Sequence, residues 1–240
     1  TDFRILNASD YGVLQNRKRI ILIGFHGEKA DFYPQIPVVK DAHKVGELFC
    51  DLPSIKAGEG VITPVKTTHY TGKYLFSARI KEYDEEPVTF HQARPNTAQD
   101  LEIYRIVVDT WNRSKTRVSY TDLPERLRTH NNTKSFLDRF KVVAGNLPYA
   151  QTVVAHISRD GHYFIHPDIK QNRSITPREA ARIQTFPDNY FFESVTGRPS
   201  RTLAYKKIGN AVPVCLSYHI AHALLARFTG GDKNAEESNT

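Results

Sequence analysis

Two arginines and a glutamine at alternate positions form the first candidate for chemistry. In Gln15-Asn16-Arg17-Lys18-Arg19, strand geometry would send Gln15, Arg17 and Arg19 to one face and Asn16 and Lys18 to the other. Planar donors converging on one place suit a carbonyl, a phosphate or a carboxylate, because a guanidinium fork matches such oxygens two at a time. The same residues would also serve as a solvated basic cluster at a strand entrance. A second candidate is Gly209-Asn210, within Tyr205-Lys-Lys-Ile-Gly-Asn-Ala-Val-Pro213. Glycine and asparagine permit a turn with positive φ, and N–H groups at the following helix start would hold a polar ligand. A plain turn between elements would use the same residues. The third is Arg159, in Arg159-Asp160-Gly161 between the runs 152–158 and 162–166. An Asp-Gly pair flanked by alternating runs predicts a β-hairpin. Arginine at such a turn would read a base, touch a phosphate or stay solvated.

Other reactive residue types carry less. Cys50 follows Phe49, and Cys215 stands among Val214, Leu216 and Ile220. Both are expected in the core, where free cysteine behaves as a small hydrophobe. His156, His162 and His166 fall on the expected hairpin without cysteine or acidic companions at ligand spacing, so no metal site is expected.

These residues need elements to position them. The sequence predicts strands over 3–7 and 19–24, the second a continuous apolar run of the kind buried on both faces of a helix-covered parallel sheet. A short helical stretch is expected around 41–49. Thr97 to Trp111 reads as an amphipathic helix with Leu101, Tyr104, Val107, Val108 and Trp111 on one face. Thr176-Pro177-Arg178-Glu179 has the form of a capping box with proline at the first helical position. A last helix is expected over about 213–227, and disorder over 229–240. The 240 residues carry 33 Lys+Arg against 26 Asp+Glu, a net charge of +7 that suits a polyanionic partner. Two cysteines are too few for a disulfide scaffold. No apolar run approaches the ~18–20 residues of a membrane span, and no secretory-type leader opens the chain, so a cytoplasmic location without membrane is expected.

Three stretches, in this order, resemble motifs eight, nine and ten of the DNA (cytosine-5)-methyltransferases: QNRKR before an apolar strand, RSITPREAARIQTFPDNY over 173–190, and KKIGNAVP over 206–213. LNASDYGV ahead of the first, and TVVAHISRDGHYFIHP, are also typical of that family. The family's Phe-x-Gly-x-Gly loop, Pro-Cys nucleophile and Glu-Asn-Val acid occur nowhere in these 240 residues. The resemblance therefore implies an α/β fold, the C-terminal portion of a Rossmann-like methyltransferase catalytic domain with an inserted α+β target-recognition domain. Residues 1–27 and 173–228 would belong to the catalytic side, with the linker and recognition domain over 28–172.

The implied partners are double-stranded DNA and an N-terminal methyltransferase half or subunit, without which the chain is expected to be inactive. The implied cofactor is S-adenosylmethionine. By the resemblance, Arg19 contacts O2 of a flipped cytosine while Arg17 and Gln15 order the site. Asn210, Ala211 and Val212 line the methyl-donor pocket. Arg139, Lys141, Thr152, Ser158 and Arg159 face DNA. Arg178 and Glu179 organise the junction between the two regions. A non-catalytic DNA-binding subunit and a degenerate remnant are the alternative readings.

Overall fold

Alternation, rather than an unbroken apolar run, decides how the first two strands sit. The computed structural model describes residues 2–24, 26, 33–39, 42–194 and 197–228. In it β1 (Asp2–Asn7) and β2 (Lys18–Ile23) pair antiparallel, with Phe3 opposite Leu22 and Ile5 opposite Ile20. Those four side chains face outward, each at least 60% exposed. Leu6 and Ile21 turn inward and pack with Ala8, Tyr11, Val13 and Leu216. The expectation of a strand buried on both faces of a parallel sheet is thus corrected. The link 8–17 holds only a short 3₁₀ turn (Ala8–Asp10), whereas a parallel neighbour needs a crossover of about a dozen residues or more. The only other sheet among the described residues is the two-stranded pair β3 (Gly60–Val61) and β4 (His91–Gln92).

Five α-helices are described: α1 (Tyr74–Ser77), α2 (Ala98–Ser114), α3 (Pro177–Ile183), α4 (Arg201–Asn210) and α5 (Val214–Phe228). The expected amphipathic helix is α2. Thr97 caps it, its hydroxyl accepting from Asp100 N–H at 3.1 Å while the Asp100 carboxylate accepts from Thr97 N–H. Tyr104, Val107 and Val108 pack on Tyr120, Leu127, Phe140 and Ile165, while Leu101 and Trp111 stay half-buried at the edges of the stripe. The capping box at Thr176 and Glu179 also forms as the residue types require, at 3.2 and 2.7 Å. No single helix among the described residues is long and apolar enough to cross a membrane.

Four expectations are overturned. The runs 152–158 and 162–166 do not pair as a hairpin. Residues Ala155–Ser158 wind into a 3₁₀ turn, and Ile165 instead bridges Val142 and Ser174. The second run finds its backbone partners elsewhere: Ile165 N–H donates to the Lys141 carbonyl at 2.8 Å, Val143 N–H to the Ile165 carbonyl at 2.9 Å, and Ile175 N–H to the Phe164 carbonyl at 2.9 Å. The helix around 41–49 shrinks to a 3₁₀ turn at Val45–Leu48, Asp41 being outside the described residues. Cys50 is exposed rather than in the core, whereas Cys215, half-buried, packs against the core of Leu6, Tyr11, Val13 and Leu216 as expected, its thiol directed at the Tyr11 carbonyl. Gly209 is helical within α4 and not a turn of positive φ. The tail expected over 229–240 lies outside the described residues.

The largest core joins Leu48, Leu75 and Phe90 to Val143, Ile157, Ile175, Ala181, Tyr205 and Ile208. Set into it is a buried ionic quartet. Arg182 forks onto Asp188 (2.9 and 2.6 Å) and reaches Asp51 (2.5 and 3.1 Å) and the Leu48 carbonyl, while Lys81 meets Asp51 at 2.8 Å and Asp188 at 4.0 Å. Burial works against the charge on Asp51, but the two cations hold its carboxyl below the usual carboxylate range. A second pair, Arg173 and Glu179, is bidentate at 2.7 Å beside His166. Burial pushes His166 down to about 4, so it packs as neutral imidazole.

Candidate functional site

The alternation of 15–19 places Gln15 and Arg17 inside the protein, leaves Arg19 half-buried beside Arg17 and turns Asn16 and Lys18 outward. Arg17 carries a buried charge with no carboxylate partner among the described residues. Its guanidinium donates to the Val153 carbonyl at 2.5 Å and to the carbonyls of Gly209 (2.9 Å) and Ala211 (2.8 Å). Its Nε lacks a partner among the described residues. Burial, and then the neighbouring charge of Arg19, bring Arg17 down to about 10. Both guanidinium groups therefore remain charged near neutrality, and only carbonyl dipoles compensate the inner one.

Gln15 extends the same junction. Its amide oxygen accepts from Val153 N–H at 2.8 Å, and its Nε2 donates to the Ile183 carbonyl at 3.1 Å and to Gln184 Oε1 at 2.9 Å. Thr152 closes it from outside, its hydroxyl donating to the Asn16 carbonyl at 2.5 Å. The 15–19 segment, the 152–153 segment and the C-terminal end of α4 at 209–211 thus meet at Arg17, with Gln15 tying the first two together. Gln15 and Arg17 are positioning residues, bonded to the chain's own backbone; Arg19 alone of the three reaches the surface, with one bond to the Lys18 carbonyl at 2.7 Å. Asn210 is exposed, with Ala211 and Val212 half-buried beside it. The Asn210 amide, without a partner among the described residues, lies next to a small apolar surface and can hold a ligand that has both polar and apolar parts.

The remaining expected residues do not form one patch of free donors. Arg139 lies over the Tyr120 ring at 4.0 Å and donates to the carbonyls of Phe136 and Asn132, so it braces its own loop. Lys141 pairs with Asp138 at 2.5 Å and lies over the Tyr163 ring. Both have partners within the chain, as a flexible cation beside an acid or an aromatic face commonly does, and both remain partly exposed. Ser158 is half-buried. Arg159 is exposed, and its carbonyl is held by Arg94 at 2.6 Å, which also holds Ile157. No group of three or more metal-ligating side chains exists among the described residues.

Three roles escaped sequence reasoning. Arg94 fixes the end of the 155–158 turn. Gln184 binds 15 to 208–211, and its only signal was a polar side chain on the inward phase of a buried helix. Gly209 is needed for close approach: a Cβ there would lie 2.3 Å from Val154 C and Ala155 N. Gly209→Ala should therefore lower stability by about 1–3 kcal/mol and displace residues 153–159 from α4, seen as lost amide-exchange protection at Ile157. An unchanged exchange pattern would contradict this contact.

Against known proteins, residues 1–226 match the family model for C-5 cytosine-specific DNA methylase. The type II methyltransferase M.Bpa9945I of Bacillus paralicheniformis is 42% identical over 92% of this chain and 49% of its own length. M.DdeI of Desulfomicrobium norvegicum is 29% identical over 92% of this chain and 53% of its own. A crystal structure of a putative DNA modification methyltransferase encoded within an E. coli prophage superposes with a TM-score of 0.54 at 18% identity, over 95% of this chain and 60% of that one. It shares the fold, with mixed helix and strand. The chain spans about half the length of the curated relatives it matches.

Proposed function

We propose, since the chain belongs to the C-5 cytosine-specific DNA methylase family, that it is the C-terminal portion of a type II DNA (cytosine-5)-methyltransferase. In this reading 1–27 and 173–228 complete the catalytic side, and 28–172 link to and form the recognition region. One observation carries the reading: motif eight, the loop at Thr152 and motif ten are tied together by Arg17 and Gln15, so that Arg19, Thr152 and Asn210 flank one hydrogen-bonded junction.

A base in duplex DNA must leave the stack before its ring is attacked, because its reactive face is otherwise covered. Arg19 then donates to O2 of the extruded cytosine, and Thr152 lies against the DNA backbone beside the gap. Asn210, Ala211 and Val212 fit one wall of an S-adenosylmethionine site, with the amide for a polar group and the apolar surface for the adenosine. That cofactor supplies the methyl group. A thiol nucleophile, its acid partner and the glycine-rich cofactor loop come from an N-terminal methyltransferase half, in the same or another chain. The outward row of Phe3, Ile5, Ile20 and Leu22 supports such a neighbour, since apolar side chains aligned on a strand pair are ordinarily covered.

The test is complementation. These 240 residues alone should transfer no methyl group to duplex DNA, and adding a polypeptide with the glycine-rich loop and the Pro-Cys motif should restore transfer. Turnover by the isolated chain would overturn the reading.

Arg159, exposed at the end of its turn, is the candidate base reader. A guanidinium fork contacting guanine O6 and N7 is worth about 1–3 kcal/mol of discrimination. In the restored enzyme Arg159→Ala should raise methylation at sites altered in one base relative to the true site. Uniform weakening with a flatter salt dependence would assign Arg159 to phosphate instead.

A further inference from the structure

Gln184 and Thr185, which end α3, lie outside every residue considered above for substrate or cofactor. Gln184 is fully buried and Thr185 is 1% exposed. Thr185 holds a left-handed backbone at φ 57°, a costly state for a β-branched residue that persists only where its surroundings enforce it. What this corner holds is the start of α5. Val214 N–H donates to the Gln184 carbonyl at 3.0 Å and Cys215 N–H to the Thr185 hydroxyl at 2.9 Å. Two of the otherwise unpaired N–H groups of a helix start are thereby satisfied.

The Gln184 amide reaches the other end of the same loop. Its Nε2 donates to the Ile208 carbonyl at 2.7 Å and the Ala211 carbonyl at 3.4 Å. Its Oε1 accepts from Gln15 Nε2 at 2.9 Å, while the Gln15 oxygen accepts from Val153 N–H. Backbone partners at both ends of this pair dictate which way each amide faces. The loop 211–213 is therefore held at the end of α4 and at the start of α5 by one corner, which is joined through Gln15 to the segment at Val153.

We propose that Gln184 is a positioning residue that seats the 210–212 loop for the methyl donor and registers that loop with the 152–153 segment. The functional half of this rests on the reading that 210–212 line the donor site. Gln184→Glu keeps shape and one acceptor but aims a carboxylate oxygen at two carbonyls. A protonated acid would donate to one of them again, so the defect has a pH signature that simple loss of packing lacks.

Two measurements test it. In this chain, amide exchange should show Gln184→Glu losing protection at Val153, Val214 and Cys215 above pH 7, with partial recovery near pH 5, while α2 stays protected. In the methylation-competent enzyme, the same variant should raise KM for S-adenosylmethionine about ten-fold, with the Kd for duplex DNA changed less than two-fold when no donor is present. Unchanged protection at those three amides, or a loss shared equally by α2, would overturn the seating role. Seating confirmed with an unchanged donor KM, together with no effect of Asn210→Ala on that KM, would overturn the assignment of 210–212 to the donor. If Asn210→Ala raises donor KM and Gln184→Glu does not, the positioning proposal fails alone.

Discussion

Arg19→Ala in the complemented enzyme should slow methyl transfer by on the order of 10²–10³-fold, the usual cost of removing a preorganised donor from developing charge, while affinity for duplex DNA changes less than about three-fold. The asymmetry follows from position. Arg19 is half-buried on β2 with one local bond to the Lys18 carbonyl, so the fold tolerates its loss. Burial lowers its pKa, but the group stays charged at neutral pH. A cation in that setting acts on a base already removed from water, where charge-assisted bonds count most. Steady-state methylation on a short duplex, paired with a gel-shift titration of the same duplex, separates the two effects. Equal losses in rate and affinity would make Arg19 a phosphate contact. Arg17 cannot be tested in this way, because its removal would also unbind Val153, Gly209 and Ala211.

Arg182→Met should cost about 3–5 kcal/mol of folding stability, the range for breaking a buried ion pair from one side. Arg182 touches both Asp51 and Asp188, and all four members of the quartet are fully buried. Methionine fills much of the volume but leaves one ammonium, Lys81, for two carboxylates. Asp51 lies in the stretch 28–172 and Asp188 in 173–228, so the loss falls where the two stretches share a core. Urea unfolding of the chain measures it, with Lys134→Ala, exposed and remote, as the comparison. A change under 1 kcal/mol would mean that water enters the quartet and screens it. Arg182→Lys should fall between the two, since an ammonium keeps the charge but loses the fork.

The parts of this protein written in local sequence are those whose cause is local. Thr97 with Asp100 and Thr176 with Glu179 are capping boxes because a hydroxyl and a carboxylate three residues apart reach each other's N–H within one turn. The stripe on α2 follows from its 3.6-residue period. The alternation that turns Gln15 and Arg17 inward, away from Asn16 and Lys18, needs only extended backbone. Family membership was also legible, in three ordered motifs.

What only the tertiary structure decided depends on neighbours far along the chain. The Asp160-Gly161 pair carries a strong hairpin signal, yet the backbone of 162–166 pairs with residues 141–143 and 173–175 instead of 152–158. Arg139 and Lys141 look free until Tyr120, Asp138 and Tyr163 are brought beside them. Gly209 looks like a turn until the backbone of Val154 and Ala155 takes the space a Cβ would need. The partners of Gln184 and Arg182 lie up to 169 residues away. Residue type alone names a donor, but which carbonyl or carboxylate it meets is set by burial, where nearly all polar groups are paired and only the complete packing supplies the partner.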